Sequence, residues 1–178
     1  VAPNLNNQFF DTISKRKSIR DFLPDAVEQE KLDRLLLSIQ RSPSAANCQP
    51  WHFIVLQGPD KEKINHLFQH KGFQAAPLAL AACAEPGVAW VRQEDGVNFS
   101  WVDVSIAVTE LTLAATALGL GSCWVAAMDV DAVKKTLKIP DHIDFVSMVV
   151  LGYPRESLKM EPKNRKPFES FVHSGSFG

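Results

Sequence analysis

Two different periods of apolar residues run along this chain, and they separate its helices from its strands. Between Glu28 and Arg41, Leu32, Leu35, Leu36 and Ile39 recur every three or four residues, while Lys31, Asp33 and Arg34 fall mainly on the other face. This pattern predicts an amphipathic helix that ends before Pro43, whose ring cannot continue it. A shorter helix is predicted from Asn7 to Arg16, with Phe9, Phe10 and Ile13 on one side. The strongest helical signal covers Trp101 to Leu118, where twelve of eighteen residues are apolar and the polar ones are mostly Ser or Thr. Ser105, Thr109, Thr112 and Thr116 form a narrow stripe of small residues suited to close helix packing. Such a helix must be covered on nearly every side, and Asp103 and Glu110 argue against a membrane span. Its own domain on one face and a partner on another are the expected covers. Gly119-Leu120-Gly121 is its natural stop.

The strand signals are shorter. His52 to Leu56 is β-branched and aromatic, Pro77 to Ala84 is continuously apolar, and Ser122 to Ala126 and Phe145 to Leu151 complete the set. A helix is predicted from Gly58-Pro59-Asp60 to about His70, with Asp60 as N-cap, and another from Val130 to Leu137. Residues 85–100 break every periodicity, through Pro86, Gly87, the Glu94-Asp95-Gly96 turn and Asn98. After Tyr153-Pro154 the tail is polar yet keeps Phe168, Phe171 and Val172, so it is expected to dock on something. Interspersed helices and strands without repeats or an internal boundary predict one α/β or α+β domain over residues 1–178.

Composition narrows the function classes. The 178 residues are 46% hydrophobic and 22% charged, with a formal net charge of −1, which gives no global case for nucleic acid. Three cysteines, Cys48, Cys83 and Cys123, lie far apart with no CxxC pair, so neither a zinc site nor a redox dithiol is expected. They read as free thiols in a reducing compartment. The opening VAPNLNNQFF has no signal-peptide pattern, and the expected location is cytoplasmic, without membrane attachment. Cys123 and the five histidines invite a thiol-nucleophile reading, but a buried structural cysteine is the better one. Trp51 is expected in the core, and His52 in a structural or solvent-facing role.

Two features carry chemistry. Ser42-Pro-Ser-Ala-Ala-Asn-Cys-Gln-Pro-Trp51 is poor at building helix or strand but suited to close approach by a flat, polar, aromatic ligand. The basic residues are bunched: Arg16, Lys17 and Arg20 around Ser18, and Lys163, Arg165 and Lys166 beside Pro167. Each bunch alone reads as a solvated charge run. Guanidinium forks mixed with a hydroxyl are, however, what a ligand phosphate prefers. There is no Walker motif, and Trp124 stands where the dinucleotide fingerprint needs glycine, so side chains must hold any phosphate.

In order, Arg16-Lys-Ser-Ile-Arg20, Ser42 to Trp51, Gly119-Leu-Gly-Ser-Cys-Trp124, Leu151-Gly-Tyr-Pro154 and Arg165-Lys-Pro167 resemble the FMN-dependent nitroreductase family, from about Phe10 to Val172. The resemblance implies an α+β sandwich with a central, mostly antiparallel sheet flanked by helices, in an intertwined homodimer whose tail, about 155–178, docks on the partner subunit. FMN would lie at the interface, bound tightly but without a covalent link. At roughly −0.3 kcal/mol per heavy atom, its approximately thirty atoms give about −9 kcal/mol, a Kd somewhat below micromolar. Arg16, Lys17 and Ser18, joined by Arg165 and Lys166, would hold the phosphate and ribityl chain, with Arg20 at the pyrimidine side. Pro43, Ser44, Ala45, Asn47 and Gln49 would reach across to the neighbouring subunit's FMN. Trp124, Val125 and Ala126 would line the ring edge.

The implied activity is ping-pong hydride transfer from NAD(P)H through FMN to a small oxidised acceptor, such as a nitroaromatic or quinone. No side chain is needed as acid or base, and no metal is implied. The chain has no long insertion before the central helix, so Ala89 to Trp101 is the expected substrate roof, with Trp90, Phe99 and Trp101 as walls. Alternatives are a flavin store, sensor or subunit with little turnover, and the family's ene-reduction, dehalogenation and flavin-fragmentation activities.

Overall fold

The computed structural model describes residues 8–159 and 161–177. Its centre is a four-stranded, wholly antiparallel sheet in the order β1-β2-β4-β3. The strands are β1 (Trp51–Gln57), β2 (Leu78–Ala84), β3 (Gly121–Val125) and β4 (Asp144–Gly152). β2 and β4 take the middle because their near-unbroken apolar runs can be buried on both faces.

Side chains of β2 alternate between two cores. Leu78, Leu80, Ala82 and Ala84 face α2 (Gln29–Gln40) and α5 (Ser100–Ala117), meeting Leu35, Ile39, Val108 and Leu111. Ala79, Ala81 and Cys83 face α3 (Pro59–Ile64), α4 (Lys71–Ala75) and α6 (Val130–Leu137), among Ile64, Phe73 and Val133. A register shift between Ala82 and Cys83 skips Val146 of β4, so Phe145 and Met148 share one face of that strand. The result is the expected α+β architecture, an antiparallel sheet flanked by helices.

The amphipathic segment after Glu28 forms α2, and 130–137 forms α6 with Asp129 as N-cap, its side chain accepting from Ala132 N–H at 3.0 Å. α5 stops at Gly119 (φ 76°), where Leu120 N–H donates to Ala115 O and Gly119 N–H to Thr116 O. The helix predicted from Gly58 to His70 is instead broken into α3, a 3₁₀ turn at Asn65–Leu67, and α4 beyond it. Its N-cap is Gly58, not Asp60. Pro59 is set for the first helical position, so Asp60 falls inside the first turn, where it pairs with Lys63 at 2.7 Å.

The Ser/Thr stripe is split as well. Thr112 and Thr116 are buried, whereas Ser105 and Thr109 stand on an open face of α5 with Trp101, Val102 and Ile106. All four hydroxyls donate to carbonyls of the helix's own preceding turn. α1 (Gln8–Lys15) leaves Phe9 and Phe10 exposed, and the tail's Phe168, Phe171 and Val172 are exposed too. No helix among the described residues is long and apolar enough to cross a membrane.

Candidate functional site

The segment after α1 is anchored at the free edge of β3. Ser18 bridges to Ser122, Ile19 N–H donates to Ser122 O at 2.9 Å, and the Ile19 side chain packs over Gly121, where a Cβ would stand 2.8 Å from Ile19 Cγ1. With Ile19 buried, the cations on either side of it stay at the surface. The tail then returns to the same place: Lys163 Nζ donates to Ile13 O at 2.8 Å, linking positions 150 residues apart. Burial pushes the Lys163 ammonium below its ordinary pKa, and the Arg16 and Arg165 charges push it the same way. The N-terminal and C-terminal basic bunches therefore form one cluster.

Among the described residues, Arg16, Arg20, Lys163 and Arg165 form no ion pair with any carboxylate. Lys17 is paired, with Glu161 at 2.8 Å, and that contact holds the glutamate below the usual carboxylate range. Like charges gathered without direct ion pairs repel one another. The donor set of guanidinium forks, an ammonium and the Ser18 hydroxyl fits a phosphate-bearing group. Arg165 Nη1 donates to Asn164 O at 3.0 Å, while Lys166 is exposed and makes no hydrogen bond among the described residues.

Beside this cluster, Lys17, Ser18, Arg20, Asp21, His70 and Glu156 line a cavity of about 360 Å³. His70 caps α4, its Nδ1 accepting from Gly72 N–H at 3.1 Å. Gly72 is pressed onto Arg20: a Cβ there would lie 1.8 Å from Arg20 O. The sequence offered no signal for His70 or Gly72, because their importance comes from a neighbour fifty residues away. Lys163 was visible as one of a basic bunch, but only the fold distinguishes it from Lys166.

Cys123 lies beneath this surface. Burial raises its thiol pKa, opposed by the Arg20 and Arg16 charges and the Ser18 hydroxyl. Cys83 is pushed up to about 11 by burial. Neither suits a nucleophile at neutral pH. At the end of β3, Trp124 is partly exposed and Ala126 exposed, whereas the Val125 side chain belongs to the core.

The Ser42–Trp51 loop lies elsewhere. It leads into β1, the opposite edge strand, four strand spacings or about 19 Å from the Ser18 segment. One chain therefore brings the cations together but leaves the loop apart from them. The loop backbone is unusual: Ala46 (φ 49°), Asn47 (φ 55°) and Gln49 (φ 51°) are all left-handed without being glycine. Each costs about 1–2 kcal/mol, so surrounding contacts must enforce the shape. Ser44 Oγ accepts Gln49 N–H at 2.9 Å, Asp103 Oδ1 accepts Ala45 N–H at 3.0 Å, and Ser42 Oγ donates to Glu110 at 2.8 Å. Pro50, between loop and strand, is buried, and Trp51 packs partly buried against the α2–α5 core. His52 is exposed and pairs with Glu85 at 2.8 Å.

The 85–100 excursion is tied to itself. Trp90 meets Phe99 edge-on at 5.0 Å, Arg92 lies over the Phe99 ring and pairs with Asp95, and Val91 bridges to Asn98. Trp101 is half-exposed, its indole N–H donating to Asp144 at 2.9 Å.

Comparison with known proteins gives a consistent outcome. The family model described as "Nitroreductase family" matches residues 13–84 and 64–153. The FMN reductase (NAD(P)H) of Bacillus subtilis is 28% identical over 190 residues, covering 96% of this chain and 75% of its own length. A nitroreductase family protein of Clostridium difficile 630 superposes with a TM-score of 0.86 at 28% identity, over 97% of this chain and 100% of that one. An FMN-dependent nitroreductase of Clostridium difficile R20291 gives a TM-score of 0.77 at 30% identity, over 94% and 99%.

Proposed function

The chain belongs to the nitroreductase family, and from that membership we propose that it is an NAD(P)H-dependent FMN oxidoreductase that reduces a small oxidised acceptor, such as a nitroaromatic or quinone. The observation that carries this reading is the merging of Arg16, Lys163 and Arg165 into one cluster without carboxylate partners. When bound, FMN supplies the hydride chemistry, accepting from NAD(P)H and donating to the acceptor.

The chain's own residues bind and orient. Arg16, Lys163 and Arg165 hold the phosphate by charge-assisted bonds, with the Ser18 hydroxyl as a neutral donor and Lys17 beside them. Arg20, its carbonyl seated against Gly72, would lie at the pyrimidine side, where its cation would favour hydride acceptance. Trp124 and the backbone of Val125–Ala126 would border the ring edge. The Ser44–Gln49 loop cannot reach the cations of its own chain, and it closes the site of a second copy. This supports a homodimer with two shared sites, in which the exposed apolar face of α5 and the apolar tail are covered.

The test is a visible absorption spectrum of the purified protein followed by anaerobic titration with NADH and NADPH. A flavin spectrum bleached by either nucleotide, and restored by a quinone, is expected. Flavin that neither nucleotide bleaches would favour a storage or sensing role instead. Shared use of one face by donor and acceptor predicts parallel double-reciprocal plots, and intersecting lines would count against it.

A further inference from the structure

The loop that closes the second copy's site is held by α5 at two points. Glu110 accepts from Ser42 Oγ at 2.8 Å, and Asp103 Oδ1 accepts from Ala45 N–H at 3.0 Å. These carboxyls are seven residues apart, about 10.5 Å along the helix. Ser42 to Ala45 spans about 10 Å when extended, and Ser44 is extended (φ −141°, ψ 157°). The segment thus lies antiparallel along the helix, pinned at both ends.

Directly past the second pin, the backbone turns left-handed at Ala46 and Asn47 and again at Gln49. The other hydrogen bonds of residues 45–49 stay within the loop and its exit: Asn47 N–H to Ser44 O, Cys48 N–H to Ala45 O, Gln49 N–H to Ser44 Oγ, the Gln49 amide to Asn47, and Trp51 N–H to Gln49 O. Among the described residues, Asp103 is the last outside tie before the strained turn. Asp103 is 1% exposed, and its Oδ2 has no hydrogen-bond partner there. A buried carboxyl needs a hydrogen-bond donor, and an apolar side chain at this helical position would leave Ala45 N–H without this acceptor. The one direct hydrogen bond of this buried carboxyl among the described residues goes to Ala45 N–H.

We propose that Asp103 is a positioning residue for flavin binding, acting through the Ser44–Gln49 loop on the neighbouring subunit's site and not on its own. The inference rests on the FMN reading and the shared site above. Asp103→Ala is expected to weaken FMN binding about tenfold or more, measured by fluorescence titration of apoprotein, while Asp103→Asn, which keeps the acceptor, stays within about threefold of the unaltered protein.

Mixed dimers separate positioning from general damage. Two co-expressed chains carry different affinity tags, and the tight FMN bound per purified dimer is counted. With Arg16→Ala on one chain and Asp103→Ala on the other, both defects fall on one site, and one tight FMN per dimer is expected. With both substitutions on a single chain, each site is damaged once, and none is expected. Equal counts in the two dimers, the reverse order, unchanged affinity in the Asp103→Ala homodimer, or an Asp103→Asn loss as large as that of alanine would each overturn the proposal. Should Asp103→Ala fail to fold, Ala45→Pro removes the same hydrogen bond from the loop side and is expected to give the same counts. The unaltered protein must bind two FMN per dimer; if it binds none, the FMN reading itself fails, whatever Asp103 does.

Discussion

Arg16 and Lys163 are side chains whose energetics point away from their own chain. Each carries charge into a cluster without carboxylate partners among the described residues, and Lys163 is held there by Ile13 O at 2.8 Å. Arg16→Ala is expected to weaken FMN binding roughly 10- to 100-fold, the loss of one charge-assisted bond at about 1.5–3 kcal/mol, so that protein purified without added FMN is colourless. Full flavin occupancy in that variant would remove Arg16 from the site. Gly72→Ala drives a Cβ into Arg20 O. Thermal melts should report a loss of about 1–3 kcal/mol, accompanied by weaker FMN binding because Arg20 must move.

Lys61 gives a pH test. It is buried, bonding Phe73 O at 3.0 Å and lying over the Phe68 ring, and burial lowers its pKa from 10.5 to about 8. Between about pH 8 and 10.5 the native state has lost this proton while the unfolded chain keeps it. Stability from this group therefore rises with pH across that window, whereas below pH 8 the native state carries the full cost of a buried charge. Urea midpoints of the unaltered protein and of Lys61→Met should diverge in slope only across that window.

Among the elements, α6 shows how far local sequence reaches. Its bounds, its Asp129 cap and its left-handed Lys138 stop are matters of a few neighbouring residues. Asp129→Ala should cost about 1 kcal/mol in a denaturant titration, without changing flavin content. The helix from Gly58 to His70 was illegible for the opposite reason. Its apolar residues have a plausible helical spacing, but the chain breaks at Asn65–Leu67 so that Phe68 and Phe73 can both enter the core and α4 can rest on Arg20. The left-handed backbone at Ala46, Asn47 and Gln49 could not be read either, since no glycine marks it and the ties that hold it come from a helix more than fifty residues away.

At the scale of the whole molecule, α5 among the described residues carries an exposed apolar face. Trp101, Val102, Ile106 and Thr109 line an open depression on α5, and Phe9, Phe10, Phe168 and Phe171 add aromatic surface from both ends of the described chain. An exposed apolar depression of this kind suits an interface. Sedimentation of the unaltered protein is expected to give a dimer, and Ile106→Arg is expected to give a monomer that holds flavin poorly. A monomeric variant with unchanged flavin affinity would show that each chain closes its own site.

Local chemistry settled much of this protein in advance. Apolar period set the strands and most helices, glycine ended the long helix, and small and basic motifs in order pointed to the family and its cofactor. Those properties depend on residues near one another in the chain. Three others do not: the union of Arg16 with Lys163 and Arg165, the pressing of Gly72 onto Arg20, and the pinning of a strained loop by Asp103 at the far edge of the sheet. Each joins segments distant in sequence, and such contacts exist only once strand order and the packing of α5 have brought the segments together.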